Sequence, residues 1–181
     1  MNKQRFFLMV MAVVAVTGLF AQANTFSKGD KVANLSIGLG STIYGSGYSG
    51  GIPPIAASLE YGIKDELFNE NSSLGVGGYL GFSTATWGDY YSYSSIIVGA
   101  RGILHYQLID NVDTYGGILL GYNISSSKYT GVGASIGGAS VGGLIYAGFV
   151  GARYYFSPKF AAMAELGYGI AVLNLGVSIK L

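Results

Sequence analysis

From residue 33 onward, apolar and polar positions alternate along the chain. Ala33, Leu35, Ile37 and Leu39 take the odd positions of the first such run, and Asn34, Ser36 and Gly38 lie between them. Successive side chains of a β-strand point to opposite faces, so a period of two predicts a strand with one apolar face. The second run sets Ile55, Ala57, Leu59 and Tyr61 against Ala56, Ser58 and Glu60. In the third, Leu74, Val76, Leu80 and Phe82 oppose Gly75, Gly77, Tyr79, Gly81 and Ser83. The fourth puts Ile96, Val98, Ala100, Leu104 and Tyr106 on one face, with Gly99, Arg101, His105 and Gln107 on the other. The fifth sets Ile118, Leu120, Tyr122 and Ile124 against Asp113, Tyr115, Gly117 and Asn123. The sixth, over residues 142–156, is less regular. Leu144, Tyr146, Val150 and Tyr154 share a face, but Ile145 and Phe149 interrupt its partner. The seventh places Phe160, Ala162, Ala164, Leu166 and Tyr168 opposite Met163, Glu165 and Gly167. The eighth places Leu173, Leu175, Val177, Ile179 and Leu181 opposite Asn174, Gly176, Ser178 and Lys180.

The expected fold is therefore all-β, an eight-stranded antiparallel up-and-down barrel. Alternation alone does not say which face is outside. The polar face decides it, being made mostly of Gly, Ser and Asn. A water-facing surface carries about 25–35% charged residues, whereas small residues suit the crowded interior of a narrow barrel. The apolar face would then meet lipid, and its ends are aromatic. Tyr61, Tyr106, Tyr154, Phe156 and Phe160 fall at one rim, and Phe82, Tyr122 and Tyr168 at the other. Two such girdles are what a bilayer imposes on a transmembrane barrel. Long loops are expected at one end, over residues 41–53, 84–93 and 125–140, with a tight Gly169-Ile170 turn beside them. Short turns at Ile109-Asp110-Asn111 and Ser157-Pro158-Lys159 belong to the other end, with a longer charged link over residues 64–72.

Composition agrees. Half the residues are hydrophobic and only 10% are charged, where a soluble domain carries about 25%. Lys3 and Arg5, the apolar run 6–20 and Ala21-Gln22-Ala23 form the three parts of a cleaved signal peptide. Residues 1–23 are thus expected to be removed, leaving 24–181 as one barrel domain. Taking Lys3 and Arg5 from the 10 basic residues leaves 8 against 9 acidic ones, and no basic stripe is visible, so nucleic acid is not an expected partner. There is no cysteine, hence no disulfide and no lipid-modified N-terminal cysteine.

At this point the chain resembles the small eight-stranded outer-membrane barrels of Gram-negative bacteria, the OmpA/OmpX type. The most specific piece is Asn174-x-Gly176-x-x-Ile179-x-Leu181, which resembles the C-terminal signal read by the barrel-assembly machinery. Many members end in phenylalanine, and Leu181 departs from that. The resemblance implies a monomer in the outer membrane, with both termini periplasmic. The chain stops with its last strand, so a peptidoglycan-binding domain is not implied.

Little in the sequence points to chemistry. Gly45-x-Gly47-x-x-Gly50 matches a dinucleotide fingerprint but runs into Pro53-Pro54 rather than a helix, so it reads as a loop. The internal Lys64-Asp65-Glu66-Leu67 and the N-x-S/T triplets at Asn34, Asn71 and Asn123 are coincidences of composition. No cofactor is expected, and with one histidine and no cysteine no metal site either. Enzymes built on such barrels, lipid A deacylases and omptin-like proteases, use a histidine at the external rim. His105 is placed near the inner end, facing inward with Arg101, and no serine or acid forms an evident triad with it.

The inward-facing Glu60, Arg101, His105, Asp113, Arg153, Glu165 and Lys180 are expected to form a structural network filling the lumen. The turn 157–159 would put Arg153 opposite Met163 and make Glu165 its diagonal neighbour and ion-pair partner. The expected function is a non-enzymatic surface role, with Tyr44, Tyr48, Tyr90, Tyr91, Tyr93 and Tyr129 supplying loop contacts to an extracellular ligand. A narrow small-solute channel, and then a lipid-modifying enzyme, are the alternatives.

Overall fold

The computed structural model describes residues 25–44, 48, 50–88, 90–129 and 139–181. The expected signal peptide lies outside the described residues. Eight strands follow in order: β1 Lys31–Ser41, β2 Ile55–Asp65, β3 Ser72–Trp87, β4 Tyr91–Ile109, β5 Val112–Tyr129, β6 Ser140–Tyr155, β7 Phe160–Gly167 and β8 Ala171–Lys180. Each pairs antiparallel with the next, and β8 pairs with β1 to close the ring. Each of the eight alternating runs forms the core of one strand. The tight turn at Asp110-Asn111 holds Asn111 at φ 61, a left-handed conformation that asparagine tolerates.

The faces also follow the alternation. Leu35 is 61% exposed, while its neighbour Ser36 is 6% exposed and points inward. Leu59, Leu80, Val98, Leu120, Leu144 and Val177 continue an exposed aliphatic belt around the outside, whereas Glu60, Asp113 and Arg153 are fully enclosed. A barrel with charges inside and leucines outside is inverted relative to a water-soluble one, and it suits a hydrocarbon surround. Tyr61, Tyr106, Tyr154, Phe156 and Phe160 stand exposed at the end of the barrel that carries the turns 110–111 and 156–159. Tyr122 and Tyr168 are exposed towards the other end.

The barrel is much taller on one side, and here the structure corrects the expected loops. Residues 84–93 are mostly strand. The β3–β4 pairing runs on through Thr84↔Ser94 and Ala85↔Tyr93 to Trp87↔Tyr91, leaving only residues 88–90 between them. β5 likewise continues through residues 125–129. Five residues beyond Phe82 amount to roughly 17 Å of strand. These segments are rich in Ser, Thr and Tyr; Thr and Tyr pleat well, but together with Ser they give no apolar–polar contrast along the chain. Much of the expected loop 125–140 falls on residues 130–138, outside the described residues.

The inward face is not wholly polar. Ile97, Ile103, Leu119 and Phe149 are buried inside the barrel with Tyr79 and Tyr115. Phe149, an irregularity in the sixth run, is one of these inward residues.

Candidate functional site

The interior is filled in two storeys of charge. In the lower one Arg153, on β6, stands opposite Asp113 on β5. Its Nη1 donates to Asp113 Oδ2 at 3.0 Å, and its Nη2 donates across the lumen to Glu60 Oε1 at 2.5 Å. The guanidinium lies 4.5 Å from the centre of the Tyr115 ring. His105 joins from β4, with Nδ1 2.9 Å from Asp113 Oδ1 and Nε2 3.8 Å from Glu60 Oε2. Asn34 donates to Glu60 Oε1 at 3.2 Å and to Ser58 Oγ at 2.9 Å, and it accepts from the Ser178 hydroxyl at 2.6 Å.

The upper storey is built on Arg101. Its Nη2 donates to Glu165 Oε2 at 2.5 Å, and its guanidinium stacks 3.7 Å from the centre of the Phe149 ring. The Tyr115 hydroxyl donates to the same Glu165 oxygen at 3.2 Å, so Tyr115 touches both storeys. Between Tyr79, Arg101, Phe149 and Glu165 the free space is about 10 Å³, room for about one water at most.

Six of the seven expected lumen residues therefore meet inside, and one does not. Lys180, near the end of β8, pairs instead with Asp30 at 2.7 Å, and both side chains are partly exposed at the rim. The expected Arg153–Glu165 pair is also corrected. The register is as expected, with Arg153 opposite Met163 and Glu165 opposite Asn174. The side chains nevertheless part, because carboxylates on β2 and β5 surround Arg153 and Arg101 on β4 takes Glu165. A two-strand register does not contain partners that reach across a lumen. Asp113 is the carboxylate against His105 Nδ1. Among the described residues no group of three or more His, Asp or Glu could hold a metal ion.

Below the lower storey lies a feature the alternation did not reveal. The segment leading into β1 folds into the open end. Phe26 is buried, and its ring stacks on His105 with centroids 3.9 Å apart and planes 17° apart. The Phe26 carbonyl accepts from the Ser73 hydroxyl at 3.0 Å, and the Thr25 N–H donates to Gln107 Oε1 at 2.9 Å. Gly29 and Asp30 exchange backbone bonds with Gly62. Gly75 makes the space for this, since a Cβ there would come 3.2 Å from the Phe26 ring and 3.3 Å from His105 Nε2. A phenylalanine off the strand period, just ahead of the first run, was the one available signal.

At the opposite end the tall strands carry aromatic rings. Trp87, Tyr91 and Tyr129 stand side by side on β3, β4 and β5. Tyr48, from the loop between β1 and β2, packs edge-on against Trp87 at 4.9 Å and Tyr93 at 5.2 Å. Tyr44 lies 5.3 Å from Tyr48, and Tyr90 lies 6.3 Å from Tyr129. Gly45 and Gly47 of the fingerprint lie outside the described residues. Gly50 and Gly51 adopt positive φ just before Ile52, which pairs with Thr84 rather than opening a helix. In β8, Asn174 faces the lumen while Ile179 and Leu181 face outward, and the Leu181 N–H donates to the Lys31 carbonyl at 2.9 Å.

Removing one partner of a buried ion pair costs about 3–5 kcal/mol, whereas removing both costs much less. Arg153→Met and Glu60→Gln are each expected to lower the urea stability of the lipid-folded barrel by about that amount, with the double variant well short of the sum. Arg153→Met and Glu165→Gln should couple far more weakly. Equal coupling in the two cycles would contradict the observed pairing.

No family model matches the sequence, and no curated protein matches it. Among solved structures the chain is similar to the crystal structure of Ail, the attachment invasion locus protein of Yersinia pestis. That likeness has 17% identity and a TM-score of 0.46, covering 84% of this chain and 95% of that one. The Yersinia pestis outer membrane protein Ail in a phospholipid bilayer nanodisc is similar at 19% identity and TM-score 0.45, over 85% and 100% of the two chains. Ail in complex with the heparin analogue sucrose octasulfate is similar at 16% and 0.46, over 84% and 95%. The chain itself is an all-β protein whose eight antiparallel strands close into a ring.

Proposed function

We propose that this protein is a sealed, non-enzymatic outer-membrane barrel that presents the aromatic ends of β3–β5 outside the cell. The observation that carries this reading is the contrast between its two ends. Phe26 and two storeys of paired charge fill the lumen, while the far end rises in long strands lined with exposed rings. Outer-membrane barrels have short periplasmic turns and longer external segments. The turns 110–111 and 156–159 lie at the end where β1 begins and β8 stops, which favours periplasmic termini. The aliphatic belt makes membrane lipid its permanent partner, and a closed ring needs no second copy to satisfy its strands.

The filled interior argues against the channel reading. An eight-stranded barrel has little more room than its own side chains occupy. The enzyme reading is weakened by the place of His105, which lies behind Phe26 at the end away from the rings. For assembly, Asn174, Gly176, Ile179 and Leu181 remain the candidate signal for the barrel-assembly machinery.

An epitope inserted after Gly88 tests the orientation. It should be labelled on intact cells, while a C-terminal epitope is labelled only after permeabilisation. The reverse pattern would overturn the reading. Replacing Trp87, Tyr91 and Tyr129 together with Ser should abolish adhesion of displaying cells to their target surface without lowering barrel abundance. Ile179→Asp combined with Leu181→Asp should prevent insertion, because both residues face outward and carry the candidate signal. Normal display of that double variant would contradict the assignment.

A further inference from the structure

We propose that the inner wall formed by the upper ends of β3, β4 and β5 binds a neutral oligosaccharide, through ring stacking above and hydroxyl hydrogen bonds below. This rests on the surface-presenting reading and names the ligand class of that surface.

The wall is ordered in rows by strand register. The top row is Trp87, Tyr91 and Tyr129, directly opposite one another on three adjacent strands. The next is Ala85, Tyr93 and Ser127, and the one below is Ser83, Ser95 and Ser125. The Ser95 and Ser125 hydroxyls lie 2.8 Å apart, and buried Ile97 forms the floor. Neighbouring strands are about 4.8 Å apart, so the three rings line roughly 10 Å of wall, about the length of a disaccharide, with Tyr91 and Tyr129 edge to face at 5.2 Å. Trp87 and Tyr91 are exposed. Tyr48 closes one side, and beyond it lies a cleft of about 370 Å³ between the β1–β2 loop and the top of β3.

The chemistry of this wall suits a sugar better than the other available ligands. A pyranose has a flat C–H face that lies on an aromatic ring, and hydroxyls at its rim that both donate and accept. Serine hydroxyls match them in both directions, and Tyr and Trp give large contact area at low entropic cost. Among the described residues of this end, Lys128 is the single charged one. Such a surface has little attraction for sulfated glycans or acidic peptides, which need clustered cations. Lipid meets the other face of these strands lower down, where it carries Ile96 and Ile124.

Trp87 is the only tryptophan, so its emission reports directly on this wall. The full barrel, folded in nanodiscs, is titrated with chitotetraose, cellotetraose and a galactotetraose, and with a heparin oligosaccharide as the anionic comparison. At least one neutral sugar should give a saturable emission change that survives high salt. Tyr91→Ala and Tyr129→Ala should each weaken it about tenfold, and Tyr91→Phe should largely preserve it. Tyr106→Ala, at the other rim, should leave it unchanged. Heat-dependent gel migration verifies that each variant is a closed barrel. No saturable response to any of the neutral sugars, or saturation by heparin alone with loss at high salt, would overturn the inference. If cell adhesion still depends on Trp87, Tyr91 and Tyr129 in that case, the surface-presenting reading stands and the sugar alone is wrong. Adhesion indifferent to those rings, with no sugar bound, removes both.

Discussion

The interior of this barrel depends on Arg153. Its guanidinium binds Glu60 on β2 and Asp113 on β5, and from those two carboxylates the bonds spread through Asn34 to Ser178 and through Asp113 to His105. One connected set of side chains thereby ties six of the eight strands. In a low-dielectric interior a lone guanidinium is very unfavourable, and it is tolerated only when its charge and its donors are both matched. Asp113 on the neighbouring strand and Glu60 across the lumen match its charge and accept from its two Nη groups, and the bond to Glu60 braces the ring across its diameter. Arg101 and Glu165 repeat the device one storey higher, with Phe149 and Tyr115 filling the space between guanidinium and wall.

A lumen filled in this way shifts the chemistry of the protein to its outer surfaces. The belt of leucine, isoleucine and valine is committed to lipid, and the lower mouth is occupied by the protein's own Phe26. What remains is the upper wall, where the strands carry on beyond the bilayer-facing belt and the inward face changes from ion pairs to serine and then to aromatic rings. Two very different surfaces are thus produced on one set of strands. The ladder of backbone bonds is continuous through both, so the rings are held by regular sheet rather than by a loose loop. Rigid mounting of this kind lowers the ordering cost of binding.

The eight strands and the choice of outer face were legible in the sequence, because a half-apolar strand declares itself by period two. The β6–β7 register was legible too, since the length of the turn 157–159 determines it. Ile97, Ile103, Leu119 and Phe149 were not legible as inward residues, because an apolar residue on the polar face looks like noise along the chain. The upper ends of β3–β5 were hidden for the opposite reason, as Ser, Thr and Tyr present no contrast between faces. Charged partners were legible as a set but not as pairs. Arg153 stands diagonal to Glu165 along the wall, yet it takes Asp113 from the strand on its other side and Glu60 from across the lumen. Lys180 followed the inward period, but at the strand end its long chain swings to Asp30 at the mouth.

The most direct test of a lumen sealed by Phe26 and two storeys of paired charge is electrical. The unmutated barrel is folded into a planar lipid bilayer, and single-insertion current is recorded over a wide range of voltage of both signs. The account predicts no resolvable steady current after insertion is verified by an accessible epitope. A stable, ohmic conductance from the unmutated protein would contradict it.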